Sequence, residues 1–166
     1  MNCVKRLGFL IPIGVCVIST AASAGDSGTY EAVGSLATTL TRLEHGDETV
    51  IGGGGTGIST ITKSSGAPFV EGSSGAVQCI SYGTRSRAGF QIEARCTGTY
   101  TSSDKVYTVS TRKTGDVTSG SSGEGRIEIV GGTGKFAGIT GACQYKIDFL
   151  PGNHTVSRSK CEWRRP

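Results

Sequence analysis

Residues 126–149 read RIEIVGGTGKFAGITGACQYKIDF, and this stretch decides the fold. Apolar and charged residues alternate up to Ile129, a run of glycines follows, and a second alternating run begins at Ala142. Alternation with a period of two is typical of a strand with one buried face, and glycine-rich interruptions are typical of turns. The stretch therefore predicts two antiparallel strands joined by a glycine-rich corner.

The corner, residues 130–141, has a conformational explanation rather than a chemical one. The first three of its glycines permit positive φ angles and a tight reversal, and the last two suit a bulged return into the next strand. Thr133 can bond to the local backbone, and Phe136 is expected to anchor the turn on the core. The residues that we assign to this structural turn are Gly131, Gly132, Thr133, Gly134, Phe136, Gly138 and Gly141.

The rest of the chain repeats the pattern of short alternating stretches between glycine-bearing turns. No window repeats apolar residues at helical spacing, and proline is scarce. We therefore predict an all-β fold, a single antiparallel barrel of roughly eight strands, with looser connections at residues 64–75 and 114–123. The strands are expected at residues 29–43, 49–62, 76–84, 90–100, 106–112, 125–130, 142–149 and 155–163.

The first 24 residues have the anatomy of a secretory signal peptide. Lys5 and Arg6 are followed by an apolar run and then by Ala22-Ser23-Ala24, a small-residue cleavage site. The apolar run is shorter than the roughly 20 residues that span a bilayer, so we expect no membrane anchor after signal removal. Residues 25–166 are then one β-barrel domain, exported to the periplasm or the extracellular space.

Four cysteines remain after signal removal, and hairpin geometry chooses among their three pairings. With a turn at residues 86–89, facing residues of that hairpin have numbers that sum to 175, which pairs Cys79 with Cys96. With a turn at residues 151–153 the sum is 304, which pairs Cys143 with Cys161. Facing residues lie within disulfide range. We predict one disulfide in each hairpin rather than a four-cysteine zinc site, since the chain has no Cys-x-x-Cys pair.

The same registers assign residues to the two faces of each hairpin. Large apolar residues of the last hairpin face small hydroxylated residues, as in a barrel interior that leaves room for a ligand. Both disulfides and one side of the first strand fall on this inward face. The residues predicted to line a ligand site are Tyr30, Leu36, Phe90, Ile92, Tyr145, Ile147, Phe149, Ser157 and Ser159.

Several chemistries are excluded by their sequence context. Gly134-Lys135 lacks the Ser or Thr of a P-loop, and the glycines at 52–57 are followed by β-branched residues rather than by a helix. His45 and His154 fall in predicted turns without regular ligand spacing, so we predict no metal site and no cofactor. Without the signal, 15 basic side chains face 13 acidic ones and are scattered, which argues against a nucleic-acid partner.

The corner also carries a family resemblance. Residues 130–141, VGGTGKFAGITG, resemble the Gly-Gly-Thr-Gly-x-Phe segment of the allene oxide cyclase and dirigent group of calycin-like β-barrels. They are also similar to small exported bacterial proteins of unknown function with an allene oxide cyclase-like barrel domain. The resemblance implies a barrel of that kind. It carries over no catalytic residue, because no family motif for one aligns with a position of this chain.

Three functions fit these features. We favour non-catalytic binding of a small apolar or amphipathic ligand in the interior or mouth of the barrel. The second is a cyclase- or dirigent-like enzyme, which needs an inward carboxylate; Glu31 and Glu128 are the candidates, and the alternation around Glu128 predicts that it faces out. The third is a secreted structural or protein-interaction module that acts through its loops. An open interior would favour the first two, and the sequence specifies no oligomeric state.

Overall fold

The protein forms one closed antiparallel barrel of eight strands, which confirms the predicted fold class. The computed structural model describes residues 26–166, so the predicted signal peptide, residues 1–24, lies outside the described residues. Each strand pairs with its neighbour in sequence, and the last strand closes the barrel on the first. The strands are β1 (Ser27–His45), β2 (Glu48–Ser64), β3 (Ser74–Ser86), β4 (Gly89–Tyr100), β5 (Lys105–Arg112), β6 (Ser122–Gly132), β7 (Thr140–Leu150) and β8 (His154–Arg164).

The strand registers pair the cysteines as predicted. Cys79 on β3 faces Cys96 on β4, and Cys143 on β7 faces Cys161 on β8. Both pairs form disulfides, with Cα atoms 4.1 and 3.9 Å apart. The inward faces of these two hairpins are therefore the predicted ones, because a slip of one residue would turn every side chain to the other face.

One end of the barrel is closed by the aromatic plug, which we define as Tyr30, Phe69, Tyr100, Phe136 and Trp163. Phe69 comes from the β2–β3 connection and stacks on Tyr30, with ring centroids 3.9 Å apart. Phe136 comes from the glycine-rich corner, and its ring centroid lies 5.1 Å from that of Phe69 and 5.0 Å from that of Tyr100. All five side chains are buried. Close aromatic contacts stabilise the folded state beyond the burial of apolar surface alone. The plug therefore holds together the two loops and the three strands that supply its side chains.

The glycine-rich corner carries Phe136 into the plug. A 3-10 turn, Gly134–Phe136, occupies the corner between β6 and β7. Gly131, Gly134 and Gly138 have φ angles of 146°, 55° and 73°, which residues with a Cβ rarely adopt. The Phe136 side chain is 0% exposed, which confirms that it anchors the turn on the core.

Three details of the predicted corner are wrong. The bulge lies in the entering strand, where Val130 has no partner in the β5–β6 register, and not in the return. Gly132 does not have the predicted positive φ. Glycine is required there, and at Gly141 in the return strand, because a Cβ at either position would collide with a backbone carbonyl oxygen of the neighbouring strand. The Thr133 hydroxyl accepts a hydrogen bond from the distant backbone N–H of Lys105, at 2.9 Å, and so ties the corner to β5.

The opposite end of the barrel is covered by residues 113–121, which connect β5 to β6 and which we call the cap loop. Val117 of the cap loop is buried and packs in a cluster that includes Phe90 and Phe149. Two backbone hydrogen bonds, of 2.7 and 2.8 Å, join the loop to Phe149 on β7. The cap loop is therefore part of the packed structure at this end.

Candidate functional site

A cavity of about 220 Å³ lies inside the barrel, between the aromatic plug and the cap loop. An apolar cavity of about 150 Å³ is large enough to hold benzene. The interior is thus open rather than filled by side chains. Its volume suits one small molecule better than a long lipid.

The space exists because small residues point inward from the middle of the strands. An eight-stranded barrel is only wide enough for ordinary side chains to fill it, so small ones leave its centre empty. On β2, the inward position Gly53 has a φ of 152°, and Gly55 follows it on the same face. The small residues that border the cavity include Gly34, Gly55, Ser59, Cys79, Ser81, Ala94, Cys96, Gly98, Thr108, Ser110, Ser157 and Ser159.

Most of the residues predicted to line a ligand site border this cavity, and one does not. Those that border it are Tyr30, Leu36, Ile92, Tyr145, Ile147, Phe149, Ser157 and Ser159. Phe90 points inward as predicted, but it is the second residue of β4 and packs at the barrel end in the Val117 cluster. Alternation fixes the face of a residue, whereas its height along the barrel axis depends on strand tilt and stagger.

Arg112, the last residue of β5, is the one charged side chain among the described residues that border the cavity. It is only 3% exposed. Its guanidinium carbon lies 5.0 Å from the ring centroid of Phe90 and 5.3 Å from that of Phe149. Its Nη1 donates hydrogen bonds to the backbone carbonyls of Thr114 and Asp116, each at 3.0 Å. The cation is thus held between two aromatic rings and the cap loop.

The charge of Arg112 has no carboxylate partner. No carboxylate oxygen within residues 26–166 forms an ion pair with it. The carboxylate of the cap loop, Asp116, pairs instead with Arg85 on β3, at 3.0 Å. Burying a charge costs several kcal/mol unless it is paired, and carbonyls and ring faces supply only part of that compensation. A buried positive charge without a direct carboxylate partner therefore borders the cavity.

The other ionisable groups of the cavity wall are phenols. Burial raises the pKa of Tyr145, while the Arg112 guanidinium and the Ser110 hydroxyl beside it act in the opposite direction. Burial also lowers the pKa of Arg112, while Tyr145 and the charge of Asp116 act in the opposite direction. At the aromatic plug, burial raises the pKa of Tyr100 to about 12 and, together with Tyr100, raises that of Tyr30. At neutral pH the wall thus presents neutral phenols and one cation.

The two strand carboxylates considered for catalysis do not border the cavity. Glu31 forms ion pairs with Lys63 at 3.4 Å and Lys160 at 3.9 Å. Glu128 is exposed, as its alternation predicts, and pairs with Arg126 at 3.6 Å. The cysteines of the cavity wall are in disulfides. Within the described chain, the wall therefore holds no carboxylate, histidine or free thiol, the groups that usually act as general acid or base near neutral pH.

Arg112 is the residue that the sequence analysis missed. A signal for it exists, because Cys96 on β4 faces Thr108 on β5, and Arg112 lies on the same face as Thr108. The register of that hairpin, with its turn at residues 101–104, would have turned Arg112 inward. An arginine at the end of a strand, next to a polar loop, otherwise resembles an exposed residue.

These features define a closed antiparallel β-barrel with an interior sized for a small molecule. Comparisons of the chain with protein-family models, with curated proteins and with solved structures found no match. The resemblance to allene oxide cyclase-like barrels therefore rests on residues 130–141 alone.

Two further observations concern the part of the chain that the structure describes. No helix there has the length and apolar character needed to span a membrane. No cluster of three or more His, Cys, Asp or Glu side chains there is placed to hold a metal ion.

Proposed function

We propose that this protein binds one small apolar or amphipathic molecule inside its barrel without transforming it. The observation that carries the proposal is the cavity of about 220 Å³ inside the barrel. A largely preformed apolar cavity with a few polar groups is the usual form of a small-molecule site. Leu36, Ile92 and Ile147 supply apolar wall for the body of the ligand, and the hydroxyls of Ser157 and Ser159 supply polar contacts.

A cyclase- or dirigent-like enzyme is the second candidate, and the pair formed by Tyr145 and Arg112 is the observation in its favour. A phenol beside a guanidinium can stabilise negative charge that develops in a transition state. Against it stands the lack of a carboxylate, histidine or free thiol in the described wall. Incubation with the natural ligand separates the two functions, because a binder returns the ligand unchanged and an enzyme does not.

The third candidate, a module acting only through its loops, would leave the open cavity without a role.

We propose further that the protein is exported to the periplasm or the extracellular space. Disulfides form and persist in oxidising compartments, and residues 1–24 have the anatomy of a secretory signal. Intact-mass measurement of protein recovered from its own host is the test. We expect cleavage after Ala24 and a mass four hydrogens below that of the fully reduced mature chain; an uncleaved chain with four thiols would contradict export.

Filling the cavity should weaken binding of an apolar probe. Ser81 points inward between Gly53 on β2 and Ala94 on β4, so a larger side chain there has only small neighbours. We expect Ser81→Phe to weaken binding of the neutral fluorescent probe N-phenyl-1-naphthylamine at least ten-fold, because the added ring occupies the space that the probe needs. Fluorescence titration measures the affinity, and circular dichroism checks that the barrel is retained.

The matched control for this variant lies on the outer face of the same strand. Gln78 is exposed, so Gln78→Phe adds the same ring without entering the cavity, and the probe affinity should stay within two-fold of the unmodified protein. Failure of the unmodified protein to bind the probe, together with repeated absence of any co-purifying small molecule in native mass spectra, would overturn the proposed function. Equal probe binding by Ser81→Phe and Gln78→Phe would place the probe outside the barrel and would contradict the proposal equally.

A further inference from the structure

The geometry points to a small anionic amphiphile as the ligand, with a carboxylate head at Arg112 and an apolar body in the middle of the cavity. This inference rests on the proposed binding function and specifies the chemistry of its ligand. It begins from the one charged group of the described cavity wall, which is buried and has no carboxylate partner.

The hydrogen-bonding capacity of Arg112 leaves room for a further acceptor. A guanidinium carries five N–H donors in a rigid fork. Both hydrogen bonds that Arg112 makes to the cap loop come from Nη1. The neutral Tyr145 phenol lies beside the guanidinium, and no carboxylate oxygen of the described residues is within ion-pair distance of it. A carboxylate fits such a fork with two parallel hydrogen bonds and at the same time supplies the missing negative charge.

The neighbours of Arg112 suit the two ends of an amphiphile. Tyr145 lies beside it and offers a hydroxyl donor to a bound oxyanion, while the Ser110 hydroxyl donates to the Ala94 carbonyl. Ile92 and Ile147 also border the cavity and offer apolar contacts to a short chain or a ring. Ile92 and Ile147 flank Arg112 at the cap-loop end. The apolar wall continues toward the aromatic plug through Ala32, Ile61 and Val106. A ligand with its charged head at Arg112 and its apolar body directed toward the plug therefore meets apolar side chains along its length.

Further arginines hold the cap loop over this end of the barrel. Arg42 of β1 donates a hydrogen bond to the Val117 carbonyl at 2.8 Å, and Arg85 pairs with Asp116. The direct ion pair of Asp116 is therefore with Arg85, and its charge acts on Arg112 only from a longer distance. The arrangement leaves the positive charge of Arg112 available to a ligand in the cavity.

Two probes of nearly equal shape separate charge recognition from apolar binding. Octanoate and octanamide have the same chain, and only octanoate carries a negative charge at neutral pH. We expect octanoate to displace N-phenyl-1-naphthylamine at concentrations at least ten-fold lower than octanamide, a difference that corresponds to about 1.4 kcal/mol. Isothermal titration calorimetry gives the two dissociation constants directly, and it requires no variant that could fail to fold.

Three variants assign the preference to Arg112. Arg112→Met keeps a long side chain between Phe90 and Phe149 but removes the charge, so octanoate should lose its advantage and bind no more tightly than octanamide. Arg112→Lys keeps the charge and loses the fork, so part of the preference should remain. Arg95→Met is the matched control, because it removes an equal charge from an exposed position on the neighbouring strand β4 and should leave the preference intact.

The outcomes distinguish this inference from the proposed function. Octanoate preference that is lost in Arg112→Met and kept in Arg95→Met supports the inference. Equal binding of octanoate and octanamide by the unmodified protein overturns it and leaves the binding function standing. A preference for octanoate that persists in both Arg112→Met and Arg112→Lys also overturns it. Binding of neither amphiphile nor the fluorescent probe overturns both proposals.

Discussion

Replacing Phe136 by alanine is expected to lower the free energy of unfolding by about 3–5 kcal/mol, the usual cost of truncating a fully buried phenylalanine. The side chain is 0% exposed and contacts the rings of Phe69 and Tyr100, so its removal opens a cavity in the middle of the aromatic plug. Domains of this size are stable by only about 5–15 kcal/mol, so the loss is a large fraction of the total. Urea unfolding followed by tryptophan fluorescence measures it, since Trp163 belongs to the same plug.

The control for Phe136→Ala is the truncation of an exposed aromatic residue. Tyr82 on β3 is 62% exposed, and Tyr82→Ala should change the free energy of unfolding by no more than about 0.5 kcal/mol. A loss below about 1 kcal/mol for Phe136→Ala would show that the glycine-rich corner does not anchor the barrel end through this ring.

Removing the disulfide between β7 and β8 should cost about 3 kcal/mol or more. The bridge joins residues 18 positions apart, and on the chain-entropy estimate a loop of about that length contributes about 3 kcal/mol by restricting the unfolded chain. Cys143 and Cys161 are also buried within the cluster that contains the aromatic plug, so the double variant Cys143→Ala, Cys161→Ala loses packing as well. Equilibrium unfolding in urea, with the other disulfide intact, gives the value.

The second disulfide provides the comparison. Cys79 and Cys96 are 17 positions apart, so the entropic loss in Cys79→Ala, Cys96→Ala should be nearly equal. Both residues are only partly buried, so we expect this variant to be the more stable of the two. If both double variants unfold at the same urea concentration as the unmodified protein, the bridges do not contribute to stability in the way that loop closure predicts.

Strand positions, facing residues and disulfides could be predicted from the sequence because they depend on a local period of two. In the last hairpin, alternation places Cys143, Tyr145, Ile147 and Phe149 on one face, and the turn at 151–153 sets the register. Each predicted strand lies within three residues of an observed one at both ends. The prediction for the Thr133 hydroxyl was wrong, because its partner, Lys105, lies on a strand that is not part of the same hairpin.

The candidate site was predictable only in part. Alternation found most of the large residues of the cavity wall, yet it placed Phe90 there as well, although that ring packs at the barrel end. The open space itself could not be read from any one hairpin, because Gly55, Ser81 and Thr108 come from three different strands and meet only in the closed barrel. Arg112 was missed because nothing within β5 distinguishes a buried terminal arginine from an exposed one.

The sequence by itself determined an all-β chain, its eight strands, the inward face of its cysteine hairpins and the pairing of four cysteines. The tertiary structure decided that the barrel is closed on an open interior, that Phe69 and the cap loop cover its two ends, and that Arg112 is buried there without a carboxylate. The physical reason is the distance along the chain over which each interaction acts. Side-chain alternation and hairpin register act between neighbours, whereas closure, height along the axis and the packing of connecting loops depend on the tilt and stagger of all eight strands together.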